Sequence, residues 1–209
     1  FKKALYRYPF TYICLRGNHE ARVQKVIEMH PEKWEAKKKY GGEIYVEKKF
    51  PQIEYLSDGP AVYEFDGYKI FSLPGAYSVD KWYRLNRGWT WFEDEQLSEE
   101  EMNTGRKIKA EEQEFDLVIS HTCPISYEPR DLFLPYISQE TVDKRMEQYL
   151  GEIEEGLSYK RWAFGHFHAD RLYPRKDGRQ MLMLFNRSVV DLQKFMHMTE
   201  KDGLQDILA

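Results

Sequence analysis

The chain has 209 residues, 42% of them hydrophobic and 15% aromatic, with a formal net charge of −4. That length and composition fit one globular domain and exclude an intrinsically disordered chain, and so small an acidic balance leaves no electrostatic footprint for non-specific nucleic-acid binding. Two cysteines, Cys14 and Cys123, are too few for a disulfide scaffold, and no apolar run approaches the ~20 residues of a membrane span, so a cytoplasmic address is the expectation.

In chain order, FKKALYRYPF reads as a helix tail stopped at Pro9, whose ring disfavours helical geometry before it. TYICL has the β-branched and aromatic make-up of a short buried strand. ARVQKVIEMH reads as a short helix ended by Pro31, and EKWEAKKKYGG as a solvated helix or loop. AVYEFDGYKIFSL is predicted to be a hairpin turning at Asp66-Gly67, a pair suited to positive φ angles. The stretch from Gly75 to Gln96 matches neither the helical nor the strand period and holds three of the five tryptophans. Ser98 and Glu101 form a capping box that opens a polar helix weakened by Gly105. FDLVIS is a buried strand ending at His121. Val142, Met146, Leu150, Ile153 and Leu157 step by four, four, three and four, which predicts one apolar helical stripe. RWAF is a strand before Gly-His-Phe-His, and RLYPRKDGRQMLMLF a hairpin about Asp177-Gly178. This alternation predicts a layered α/β domain over 1–209, with active groups on loops at strand ends; the segment 75–97 is a candidate aromatic lid.

Three predicted strands each end on histidine: His19, His121, and the pair His166 and His168. Neutral imidazole and an amide oxygen such as that of Asn18 are ligands for borderline divalent ions. Gly17 and Gly165 stand just before these groups, where a side chain would crowd a metal or an approaching phosphate. Taken alone, a histidine at a strand end caps backbone carbonyls as readily as it binds a metal; four in such positions favour a site.

Gly17-Asn18-His19-Glu20, a histidine after a buried strand at His121, and Gly165-His166-Phe167-His168 occur in the order of three motifs of the calcineurin-like metallophosphoesterase superfamily, which the chain resembles over most of its length. The resemblance implies an α-β-β-α sandwich and hydrolysis of a phosphomono- or phosphodiester by a metal-bound hydroxide. It implies Asn18, His121 and His166 as ligands of one divalent ion (Mn, Fe or Zn), His168 as a ligand of a second, and His19 as general acid or transition-state cation. Glu20 would orient the loop, or stand as a solvated carboxylate at a helix start.

The family's Asp-x-His and Gly-Asp-x-x-Asp motifs lie upstream of Gly-Asn-His-Glu, and the sixteen residues before Gly17 contain no Asp, Glu or His. The expectation is a C-terminal portion of the fold that holds at most one ion well and has impaired activity. The strand TYICL would then have an open edge, covered by a missing N-terminal segment or another subunit. A degenerate relative that binds a partner or a single metal without hydrolysis is the alternative. Nucleic acid is not the favoured partner.

Trp82, Trp89 and Trp91 with Arg84 and Arg87 read as an aromatic satellite core with solvated arginines, the alternative being a lid whose arginine meets a phosphate. Cys123 reads as a small buried thiol rather than a ligand or nucleophile. Tyr127 and Arg130 are substrate-contact candidates by proximity alone, and the basic run from Arg171 to Arg179 reads as a solvated hairpin tip.

Overall fold

The structure is a computed structural model that describes residues 2–112, 114–133, 135, 138–174, 177–185 and 188–209. The first part of the chain contains α1 (Lys2–Leu5), β1 (Tyr12–Cys14), α2 (Val23–Met29), β2 (Trp34–Lys39), β3 (Gly42–Glu47), β4 (Ile53–Leu56), β5 (Ala61–Phe65) and β6 (Tyr68–Leu73). It continues with α3 (Lys81–Asn86), α4 (Glu99–Glu112), β7 (Glu114–Ser120), α5 (Arg145–Glu154), β8 (Ser158–Phe164), β9 (Arg171–Pro174), β10 (Gln180–Met183), α6 (Leu192–His197) and α7 (Leu204–Ile207).

The strands form a four-stranded sheet in the order β1-β4-β3-β2 and a six-stranded sheet in the order β5-β6-β7-β8-β10-β9. Side-chain alternation fixes the layers. In β3, Ile44 and Val46 point inward with Leu56, meeting Tyr63, Phe65 and Ile119 of the larger sheet, while Tyr45 points outward with Trp34 and is covered by Val23 of α2. The far face of the larger sheet carries Phe71, Val118, Trp162 and Met181, which pack against Met102 of α4 and Met146, Leu150 and Ile153 of α5. The two sheets therefore lie between α2 and the α4–α5 pair, the expected α-β-β-α sandwich. The α5 residues Met146, Leu150 and Ile153 are fully buried, each worth about 2 kcal/mol of apolar burial. The sheet's other face is shared between the smaller sheet and α6 and α7, which bury Phe195 and Ile207 against Ile70, Leu117 and Leu182.

Several local signals appear in the fold. Asp66 (φ 50°) and Gly67 (φ 78°) make the turn between β5 and β6. Ser98 N–H donates to Glu101 Oε2 at 2.8 Å and Glu101 N–H to Ser98 Oγ at 3.3 Å, closing the capping box on α4. Elsewhere the sequence reading fails. EKWEAKKKYGG is not a helix or loop: Trp34–Lys39 is the edge strand β2, with only Trp34 buried. Its charges suit an exposed edge. The structure adds the strands β3 and β4 and the helices α3, α6 and α7. The apolar stripe is helical only from Arg145, so Val142 precedes α5 and Leu157 follows it. Within the hairpin expected about Asp177-Gly178, β9 and β10 pair antiparallel; residues 175 and 176 lie outside the described residues.

Strand direction places the site. β6, β7, β8 and β10 are mutually parallel, so their carboxyl ends lie along one edge of the larger sheet. β1 runs parallel to β4 and is an edge strand of the smaller sheet. TYICL thus belongs to a different sheet from FDLVIS and RWAF, and its loop crosses to theirs. Among the described residues, no helix is long and apolar enough to cross a membrane.

Candidate metal centre

Beyond β1 the chain reaches Arg16, which is 6% exposed. Its Nη1 donates to Glu95 O at 2.8 Å, its Nε faces Asp58 Oδ1 at 3.4 Å, and its carbonyl accepts from Gly75 N–H at 3.0 Å. These contacts fasten the start of the Gly17 loop to the segment after β6. Gly17 N–H donates to Glu20 Oε2 at 2.9 Å, so Glu20 closes the turn. A Cβ on Gly17 would stand 2.7 Å from Glu20 Oε2 and 2.8 Å from His121 Cε1; the glycine is there because the imidazole occupies that space. No such crowding explains Gly165, where a Cβ would meet Leu184 O at 3.5 Å, an ordinary contact.

Asn18 is buried, and its Oδ1 lies 2.9 Å from His121 Nε2. His121 is held by its backbone on both sides: its N–H donates to Leu73 O at 3.3 Å and its carbonyl accepts from Gly165 N–H at 3.0 Å. The rings of His121 and His166 are 5.2 Å apart at 64°. His166 (φ 72°) and His168 (φ 56°) both adopt the left-handed backbone, which costs a non-glycine residue on the order of 1 kcal/mol or more. This pair of strained residues turns the chain twice around Phe167, so the two histidines diverge: His166 faces His121, while His168 is exposed with its ring 5.3 Å from that of Phe185. His19 is exposed at the rim of the same cavity.

Burial, reinforced by His19, Arg16 and His168, lowers the pKa of His121 to about 4. Burial likewise holds His166 well below the usual histidine range, with His121, His168 and His19 adding to the effect. Both rings are therefore neutral at physiological pH, the form that offers a lone pair to a metal. One amide oxygen and two neutral imidazoles form a donor set suited to a single borderline divalent ion. The structure places Asn18 and His121 in direct contact, so an ion entering here must open that contact and take a His121 Nε2 that has lost its proton. Among the described residues, no group of three or more His, Cys, Asp or Glu side chains is arranged to hold a metal.

The cavity over this cluster measures about 770 Å³, and its walls include Tyr77, Glu128, Phe133, Lys144, Glu147 and Phe167. Glu147 accepts from Thr122 Oγ1 at 2.7 Å, beside His121. Sequence reasoning missed Glu147 because it flanks the α5 stripe, one step past Met146, and is one acid among several in that helix. Tyr127 and Arg130 are not among the described residues lining the cavity; Tyr127 packs edge-on against Tyr173, and Arg130 stands 3.5 Å from Glu128. Cys123 is a buried thiol, and burial drives its pKa far up, as expected for an inert group. In the basic hairpin, Arg171 forms a two-pronged bond with Asp131 and Arg179 pairs with Asp177.

The satellite core expected within 75–97 is not formed, while Tyr77, Val79 and Asp80 of the segment line the cavity. Trp82 is 62% exposed and Trp89 51%, so they form no satellite core. Arg84 donates to Thr90 O and faces Asp80 instead of the cluster. The base of the segment is buried, whereas only its tip is open.

A family model for the calcineurin-like phosphoesterases matches residues 1–170. No curated protein matches the chain. The matched region contains every loop that brings Asn18, His121 and His166 together, and the chain belongs to the calcineurin-like phosphoesterase family.

Proposed function

We propose that the chain is a metal-dependent phosphoesterase that hydrolyses a phosphomono- or phosphodiester. What supports this reading is that Asn18, His121 and His166, on loops of two different sheets, line one 770 Å³ cavity, Asn18 in contact with His121 and the His121 ring 5.2 Å from that of His166. Asn18 Oδ1, His121 Nε2 and a ring nitrogen of His166 would hold one Mn, Fe or Zn ion, and His168 would turn toward a second. When bound there, the ion supplies positive charge against the phosphoryl oxygens and acidifies water.

The remaining roles fall to protein groups. His19, exposed at the rim, reaches the ester's leaving oxygen from the solvent side and gives it a proton as that bond breaks. Glu20 and Gly17 fix the loop that carries His19 and Asn18. Phe133 and Phe167, their rings 6.1 Å apart and nearly parallel, provide an apolar wall that excludes water from one side of the cavity.

Hydrolysis of bis(p-nitrophenyl) phosphate with Mn²⁺ tests the proposal. The expected result is weak turnover, lost with chelator and in His121→Ala, and reduced about 100-fold or more in His19→Ala. Turnover that survives chelation or His121→Ala would overturn it. A non-catalytic reading is favoured by one observation, the bond between Asn18 Oδ1 and His121 Nε2, which pairs these groups with each other without an ion. Stoichiometric Mn²⁺ uptake with no turnover of any ester would select that second reading.

A further inference from the structure

β6 ends beside β7, and the chain beyond it turns at Gly75, whose φ of 87° and close approach to Glu95 O leave no room for a side chain. This turn brings Ser78 under Asn18. Ser78 is completely buried and Glu95 is 2% exposed. Asn18 Nδ2 donates to Ser78 Oγ at 2.9 Å, Ser78 Oγ donates to Glu95 Oε2 at 2.5 Å, and Ser78 N–H donates to Glu95 Oε1 at 2.7 Å. Arg16 holds the Glu95 carbonyl from the other side.

We infer that Ser78 and Glu95 are positioning residues that fix which end of the Asn18 amide faces the metal point. The inference rests on the metal-centre reading above, and it follows from counting protons. A serine hydroxyl has one hydrogen, and a carboxylate can only accept. Both Glu95 oxygens face Ser78, one toward its N–H and one toward its O–H, so the hydroxyl hydrogen is committed to Glu95. Ser78 Oγ can then only accept from Asn18, and the amide must turn Nδ2 toward it. Oδ1 is left facing His121 and the cavity. The carboxylate thus sets the polarity of the amide two bonds away, without touching it.

An isosteric change separates this role from simple packing. In Glu95→Gln, the new amide keeps an oxygen for Ser78 N–H and offers an N–H to Ser78 Oγ. The hydroxyl hydrogen is released toward Asn18, which favours the reversed amide with Nδ2 facing the cavity, where it cannot bind a cation. Calorimetric titration of the full chain with Mn²⁺ should show affinity at least about tenfold weaker in Glu95→Gln and in Ser78→Ala, and restored in Ser78→Thr, which keeps the hydroxyl. A second measurement uses the metal-free protein: the ¹⁵N-labelled side-chain amide of Asn18 should lose its protection from exchange in Ser78→Ala and change its shift in Glu95→Gln. Wild-type Mn²⁺ affinity in Glu95→Gln would overturn the inference, as would Asn18 amide signals unmoved in both variants. If the wild type binds no Mn²⁺, the metal reading fails on its own, and the amide signals alone decide whether the relay exists.

Discussion

Acidification of the metal-free protein tests the site's electrostatics. In the folded chain His121 has a pKa of about 4, whereas in the unfolded chain a histidine titrates near 6.5. As pH falls below 6.5 the unfolded state takes up a proton that the folded ring refuses, so the contribution of His121 is fully present above pH 6.5 and is lost as pH falls toward 4. Between pH 7 and 5.5 the loss for His121 is about 1.3 kcal/mol, and His166, whose burial also lowers its pKa, adds a loss of the same sign. Burial pushes the carboxyls of Asp58 and Glu147 up, so they act in the opposite direction, and comparing slopes between variants removes them. Urea unfolding in chelator at pH 7, 6.5, 6 and 5.5 should show the midpoint falling by about 0.5 M or more across the series. The slope should flatten in His121→Gln and flatten further in His121→Gln/His166→Gln, whatever their absolute stabilities. A midpoint that holds from pH 7 to 5.5, or a slope unchanged in the double variant, would show that the two rings are hydrated and would refute the reasoning.

Three substitutions probe the surrounding structure. Gly17→Ala forces a methyl to within 2.8 Å of His121 Cε1; Glu20 can swing away but the imidazole cannot, so Mn²⁺ affinity measured by calorimetry should fall about tenfold or more while unfolding shifts by only ~1–3 kcal/mol. Gly105→Ala should destabilise the fold in urea, reversing the ~1 kcal/mol gain that helix propensity alone predicts, because the new Cβ overlaps Tyr149 Oη and lies 3.3 Å from Pro60 Cβ; adding Tyr149→Phe should recover the loss. Arg16→Met removes the guanidinium that faces buried Asp58 and holds the Glu95 carbonyl, and thermal unfolding should report a loss of about 3–5 kcal/mol.

What could be read from the chain divides by range. The turn at Asp66-Gly67, the Ser98–Glu101 box and the α5 stripe are local patterns, and each is present in the fold. β2 was missed because an edge strand needs few apolar residues, and five of its six are exposed. β3 had a readable signal in the alternation of buried Ile44 and Val46 about Tyr45, whose outer face is covered by α2. Gly105 looked like a weakness of α4 because the residue that needs its space, Tyr149, is 44 positions away on α5. In the site, Asn18, His121 and His166 were visible because each follows a strand. Ser78 and Glu95 were not, since their bond spans 17 residues of chain with no period. The one clue was Pro74-Gly75 directly after YKIFSL, marking another strand end on the same edge.

Anomalous diffraction from crystals of the chain soaked in Mn²⁺ or Zn²⁺ is the most direct measurement of whether these three donors share an ion. The expected map has a single strong peak within bonding distance of Asn18 Oδ1, His121 Nε2 and a His166 ring nitrogen, with the Asn18–His121 contact opened. A map with no peak there, or with the metal elsewhere and that contact still closed at 2.9 Å, would contradict the assignment of the centre.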